Sequence, residues 1–259
     1  IYSQLAYKIR RILYKSDSIK SLIQKTLKFW LILKISKNQV KKLIDTHFHA
    51  YIVDDFYLIH SINPSKLLTY NRFDLSFKLL FLDLIDKERT VAEEVYKSHI
   101  KAFSLGKYVE PGNAKKNSIE KYYKDFQKTF KDISSNGFST NKSLIPLSID
   151  GSISNGSHRL ASAIINNTNI ESIKLNIESD TYDYNFFYKR GVSEKILDIA
   201  ATKFIEYANN VYIAIIWPSA IGHEEEISGI IKNIVYQKKV KLNYTGAHNL
   251  ISQIYHGES

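Results

Sequence analysis

The sequence predicts an α+β fold that grades into α/β: a helical N-terminal region, a central mixed sheet with helices, and a C-terminal α/β segment. Three observations carry the prediction. Residues 145–149 form a short apolar run that meets glycine turns at Asp150-Gly151 and Asn155-Gly156. An apolar helix then opens at Ser157 with Leu160, Ala161, Ala163 and Ile164, and residues 170–177 follow as a strand. Residues 211–217 are a continuous apolar run stopped by Pro218, the pattern of a buried strand with a turn at its end.

Along the chain, residues 1–42 form a basic amphipathic stretch, with Leu5, Ile9, Ile12, Leu13, Ile19, Leu22, Ile23 and Leu27 near helical spacing. Such a stretch suits either a helical linker from a neighbouring domain or peripheral contact with an anionic membrane. Residues 43–120 read as mostly helical. Asn71, Arg72, Phe73 and Asp74 precede a strongly apolar helix, residues 92–103 form another, and Pro111-Gly112 marks a turn. Residues 121–180 hold the central unit: a helix ending in the Gly137 turn, then the strand, loop and helix described above. Residues 181–259 begin with an aromatic, irregular segment over 181–191 and continue with a helix over 193–209, capped by Ser193. Beyond it come the 211–217 strand, a helix over 224–233, a strand over 235–242 and a helix over 247–255.

Composition narrows the function classes. The 259 residues supply enough length for a real core, and 44% hydrophobic with 24% charged content is ordinary for a globular chain. No apolar run reaches the roughly 18 residues a membrane span needs. With no cysteine, disulfides, thiolate metal sites and thiol nucleophiles are excluded. A cytoplasmic location is the expectation, at the inner face of the membrane if residues 1–42 touch it. The net charge of +10 suits polyanionic partners, but much of the excess lies in residues 1–42, so nucleic acid is a disfavoured partner. Beginning at Ile1 and lacking methionine, the string is expected to be a segment of a longer protein. No Walker loop, Gly-x-Ser-x-Gly elbow or zinc-finger spacing is present.

The richest chemistry lies in Asn155, Gly156, Ser157, His158 and Arg159. Backbone N–H groups at a helix start favour an anion, and an imidazole and a guanidinium on the same turn add donors suited to phosphate oxygens. Asp150 is a candidate magnesium ligand beside them, although Asp-Gly is equally the chemistry of a hairpin turn. Arg72 and Asp74 place charge where a core face begins. They suit either a carboxylate clamp with a general base or a helix-capping ion pair. His99, Lys101 and Glu110 are further candidates, and Tyr182, Phe187, Trp217 and Pro218 suit either stacking on a base or sugar or ordinary core packing. The His47-x-His49 pair is similar to a metal-hydrolase motif, but the chain lacks the strand count of the barrel such pairs serve.

The 145–164 segment, with the helix before it and the strand after it, resembles the ParB/sulfiredoxin-like fold, whose members carry a Gly-x-His-Arg or related loop at a helix start. The resemblance covers residues 121–180. It implies that residues 155–159 bind the phosphates of ATP with magnesium, Asp150 being the candidate metal ligand. A wider layout is similar to modules found beside glycosyltransferase domains in bacterial capsular polysaccharide synthesis. Arg72 to Asp74, residues 96–103, Gly137-Phe138, residues 155–160 and Trp217-Pro218 carry it. Some such modules are ATP-dependent amide ligases. That resemblance implies a ligase joining a uronic acid carboxylate to a small amine through an acyl phosphate, fused to or acting beside a glycosyltransferase domain. In it His158 and Arg159 hold the phosphates, Arg72 orients the carboxylate, and Asp74 or His99 takes the amine proton. The alternatives are a small-molecule kinase of the same fold and a nucleotide-switched nucleic-acid-binding module.

Overall fold

The computed structural model describes residues 34–69, 71–109, 117–139 and 141–208, with isolated positions between 222 and 230, and these build an α+β fold. Strand β1 (Lys34–Ser36) leads into helix α1 (Lys37–Leu43), and a 3-10 turn over Thr46–Tyr51 follows. The next extended stretch serves two sheets. Its first half, β2 (Phe56–Leu58), pairs antiparallel with β1, and its second, β3 (His60–Ile62), pairs antiparallel with β5 (Ile170–Lys174).

Strand β4 (Ile145–Leu147) completes the second sheet, in the order β3-β5-β4, and runs parallel to β5 with Ile145 opposite Ser172. Parallel neighbours need a crossover, and helix α5 (Ser157–Ile165) supplies it. All of β4 is buried, as expected of a parallel strand covered on both faces. Side chains alternate across this sheet. Ile145, Leu147 and Ile170 face the main helical core, while Leu144, Ile173 and Leu175 join Val40, Ile44, Phe48 and Tyr57 in a smaller cluster on the opposite side.

The main core is organised on helix α2 (Asp74–Leu84), which is buried at every position from Asp74 to Leu82. Apolar residues on all sides of a helix demand neighbours all round. Helix α3 (Arg89–Phe103), α5 and α7 (Glu194–Tyr207) pack against it, and α4 (Ile119–Asn136) packs on α5. Helix α4 ends at Gly137, whose φ of 70° gives the glycine turn the sequence predicts.

Three differences from the sequence expectations have plain causes. The 43–120 region contains strands β2 and β3, pieces of three residues each that are too short to show a period of two. The aromatic 181–191 segment carries a short helix, α6 (Tyr184–Tyr188), because the Asp183 carboxylate accepts the Phe186 N–H at 2.8 Å and caps it. The boundaries expected at 120 and 180 do not divide the core: Phe77, Tyr96, Phe126, Leu160 and Phe187 belong to one buried cluster. Glu110, the 211–217 strand with Trp217 and Pro218, the 235–242 strand, the 247–255 helix and residues 1–33 lie outside the described residues, as does most of the 224–233 helix. Among the described residues no helix is long and apolar enough to cross a membrane.

Candidate functional site at the start of helix α5

The loop between β4 and α5 is tied down by its own side chains. Ser148 N–H donates to the Ser152 carbonyl at 2.8 Å, closing the Asp150-Gly151 turn. One Asp150 oxygen accepts from Ser148 Oγ at 2.6 Å, Ser152 Oγ at 2.7 Å and Ser152 N–H at 2.9 Å, and the other accepts from Ser179 Oγ at 2.8 Å. Partial burial opposes ionisation, but these hydrogen bonds outweigh it and hold the Asp150 carboxyl well below the usual carboxylate range. The hairpin-turn alternative matches this geometry. Of the two Asp150 oxygens one is saturated by three donors, and the other, which accepts from Ser179 alone, keeps lone-pair capacity for a cation. Among the described residues no group of three or more His, Asp or Glu side chains is placed to hold a metal ion.

Gly156 sets the entry into α5. Its φ is +88°, and a Cβ there would lie 2.5 Å from Ile145 Cδ1 and 2.9 Å from Arg159 Nη2. Only glycine fits. Asn155 braces the same corner: its Oδ1 accepts the Gly156 N–H, and its Nδ2 donates to the Asp45 carboxylate. The first intrahelical bond of α5 runs from the Leu160 N–H to the Gly156 carbonyl at 2.9 Å, so Ser157, His158 and Arg159 form the first turn that precedes it.

His158 and Arg159 diverge, since one residue rotates about 100° around a helix. His158 turns inward. Its Nε2 lies 2.6 Å from the Tyr96 hydroxyl, and its ring packs on Phe126 with centroids 4.6 Å apart. Arg159 turns outward. Its Nη1 donates to the Leu144 carbonyl at 3.2 Å, and the side chain lines a cavity beside the C-terminal half of α4. Burial lowers the Arg159 pKa, and the Asp45 charge partly restores it.

The second constellation meets the first. Arg72 grips Asp74 through two parallel hydrogen bonds, Nε to Oδ1 at 2.8 Å and Nη2 to Oδ2 at 2.9 Å. Its remaining Nη1 donates to the Ile153 carbonyl inside the loop. Lys78 donates to Asp74 Oδ2 at 2.9 Å, and its Nζ stands 3.4 Å from His99 Nε2. All four side chains are buried. Burial opposes the Asp74 charge, but Arg72 and Lys78 overcome it and hold the carboxyl far below the usual range. Burial, reinforced by Lys78, pushes His99 well below the ordinary imidazole range, so it is neutral. Its ring stacks on Phe77 at 5.0 Å, and its Nδ1 has no hydrogen-bond partner among the described residues.

Arg72, Asp74 and His99 are thus brought behind the phosphate-loop candidate, Arg72 and Asp74 as an ion pair. Each nitrogen of Arg72 donates to Asp74 or Ile153, and both Asp74 oxygens are held by cations, the geometry of the ion-pair alternative. The cluster braces the loop from behind. Tyr96, which opens the 96–103 stretch but is not among the candidate site residues, joins His158 to the same aromatic core as His99. Its spacing of three residues before His99 on one helix face is the signal that finds it.

Other candidates lie elsewhere. His49 Nε2 is 3.2 Å from the Ile44 carbonyl, and His47 lies against Phe48, so the pair is part of the 3-10 turn. Lys101 is exposed, and Phe187 is a core residue. Tyr182 is tied to the cluster: its N–H donates to the Asn71 carbonyl at 2.8 Å, and the Arg72 guanidinium lies 5.4 Å from its ring centroid. Comparison with protein-family models, curated proteins and solved structures returned no match.

Proposed function

We propose that this chain is an ATP-dependent ligase that activates a uronic acid carboxylate as an acyl phosphate and passes it to a small amine. One observation carries the phosphate half of the reading. A glycine-hinged helix start, bearing His158, is braced through the Ile153 carbonyl by a fully buried Arg72–Asp74–Lys78 network. A buried ion network is costly and gives little net stability, so its retention beneath a loop favours a need for fixed geometry there. Fixed N–H dipoles are what phosphoryl transfer uses, since its catalysis is mostly positioning and charge stabilisation.

In this reading the first turn of α5 receives the phosphate tail, and His158, fixed by Tyr96 and Phe126, sits beside it. A carboxylate oxygen attacks the terminal phosphorus, the bond to ADP breaks, and an acyl phosphate forms. The amine nitrogen then attacks the carbonyl carbon, phosphate leaves with the bonding pair, and the amine loses a proton. Arg72 and Asp74 act as positioning residues. The uronic acid and the amine come from the resemblance described above. Calorimetric titration of the full chain with ATP and magnesium tests the phosphate half. His158→Ala is expected to weaken binding at least tenfold, and unchanged affinity would contradict the site.

A further inference from the structure

The divergence of His158 and Arg159 leaves a second polar site on the outer side of α5. A cavity of about 340 Å³ lies between the C-terminal half of α4, the turn after Gly137 and Arg159. That volume suits one sugar-sized ligand. Its lining brings three cations, Lys128, Lys142 and Arg159, together with one carboxylate, Asp132. Asp132 is already neutralised, because Lys142 Nζ lies 2.7 and 2.8 Å from its two oxygens. Lys128 and Arg159 therefore carry the excess charge.

Arg159 is the more telling of the two. It is partly buried, its Nη1 has one long hydrogen bond to a carbonyl, and no carboxylate among the described residues lies within ion-pairing distance of it. Asp45 acts on it only through space. A guanidinium cannot shed its proton, so burial without a counter-ion leaves it suited to a planar anion delivered from outside. The rest of the lining matches a sugar: Ser139 and Ser143 bring hydroxyls, and Phe138 brings a ring face.

We infer that this groove is the acidic-sugar subsite, in which Arg159 and Lys128 take the carboxylate of a hexuronate. The inference rests on the ligase reading for its choice of anion and separates two roles that the His158-Arg159 pair otherwise shares. Phosphates belong to the inner side of the helix start, and the sugar acid belongs to the outer side. The two sites share one helix start, at successive positions of α5.

The test is direct binding to the full chain, with glucuronate, glucose and ATP-magnesium as separate probes and no turnover needed. Glucuronate is expected to bind and glucose to bind at least tenfold more weakly. Lys128→Gln, on the exposed face of α4, is expected to weaken glucuronate about threefold to fivefold. Arg159→Lys, which keeps the charge but loses the planar fork, is expected to weaken it about tenfold. For each variant the loss for glucuronate should exceed the loss for ATP at least twofold. Equal binding of glucose and glucuronate, or no effect of either substitution on glucuronate, would overturn the inference. Parallel losses for ATP and glucuronate would also overturn it, by assigning the groove to the nucleotide. Failure of amide formation while these ratios hold would count against the ligase reading alone.

Discussion

Replacing Gly156 with alanine tests the local geometry on which the site depends. At φ +88° an L-residue pays about 1–2 kcal/mol for the left-handed region. The added Cβ would stand 2.5 Å from Ile145 Cδ1, and Ile145 is fully buried in β4, so the side chain has no space to retreat into. Overpacking of that kind costs about 1–3 kcal/mol. The contact with Arg159 Nη2 is cheap to relieve, because it involves the far end of a flexible side chain. Against these stands a gain of about 0.4–1 kcal/mol from the stiffer unfolded chain. The net expectation is a loss of about 2–4 kcal/mol, a large share of a typical domain's stability. Urea unfolding of the full chain measures it, with a lowered midpoint and an unchanged slope. A loss under about 1 kcal/mol would refute the reasoning, because the loop would then tolerate a side chain where the structure leaves none.

Further outcomes follow from the buried network and from the Tyr96–His158 contact. Asp74→Ala leaves Arg72 and Lys78 without their shared counter-ion and is expected to cost about 3–5 kcal/mol in chemical denaturation. The Arg72→Met, Asp74→Ala double variant should lose clearly less than the sum of the two single losses, and simple additivity would contradict the coupling. Stability should fall as pH drops below about 6.5, because His99 stays neutral when folded but takes a proton when unfolded, with a slope of at most about 1.4 kcal/mol per pH unit. Below about pH 4 the depressed Asp74 adds to the loss, since its contribution is complete above the unfolded pKa and disappears as pH falls. His99→Gln should flatten the first part of that curve, as measured by denaturation across pH. Tyr96→Phe removes the 2.6 Å contact to His158 and is expected to cost about 1 kcal/mol in thermal unfolding and to lower ATP-dependent turnover. No change in either would contradict the positioning role.

What was legible in the sequence follows from the range of the interactions involved. Strands β4 and β5, the helix at Ser157, the Gly137 stop and the Ser193 start are set by turn chemistry and apolar runs a few residues long. The short strands β2 and β3 are set by pairing with partners far along the chain, and nothing local in them marks a strand. The candidate site shows the same division. The Gly156 hinge and the neighbours His158 and Arg159 are visible as a motif, but the direction each side chain takes depends on Tyr96 of α3, Phe126 of α4 and Leu144 just before β4. Arg72 and Asp74 are visible in the sequence as charges at the edge of an apolar helix. That Arg72 reaches the Ile153 carbonyl, 81 positions away, is a consequence of tertiary packing alone.

In the proposed reaction a phosphate-binding helix start and its neighbouring groove join a carboxylate to an amine at the expense of ATP. ADP and phosphate release by the full chain, with magnesium, glucuronate and a panel of simple amines, tests it most directly when the products are weighed by mass spectrometry. Release is expected to require both partners and to yield an amide product, and both are expected to be lost in His158→Ala. Nucleotide turnover that moves phosphate to a hydroxyl with no amide formed, or no turnover with any pair, would contradict it.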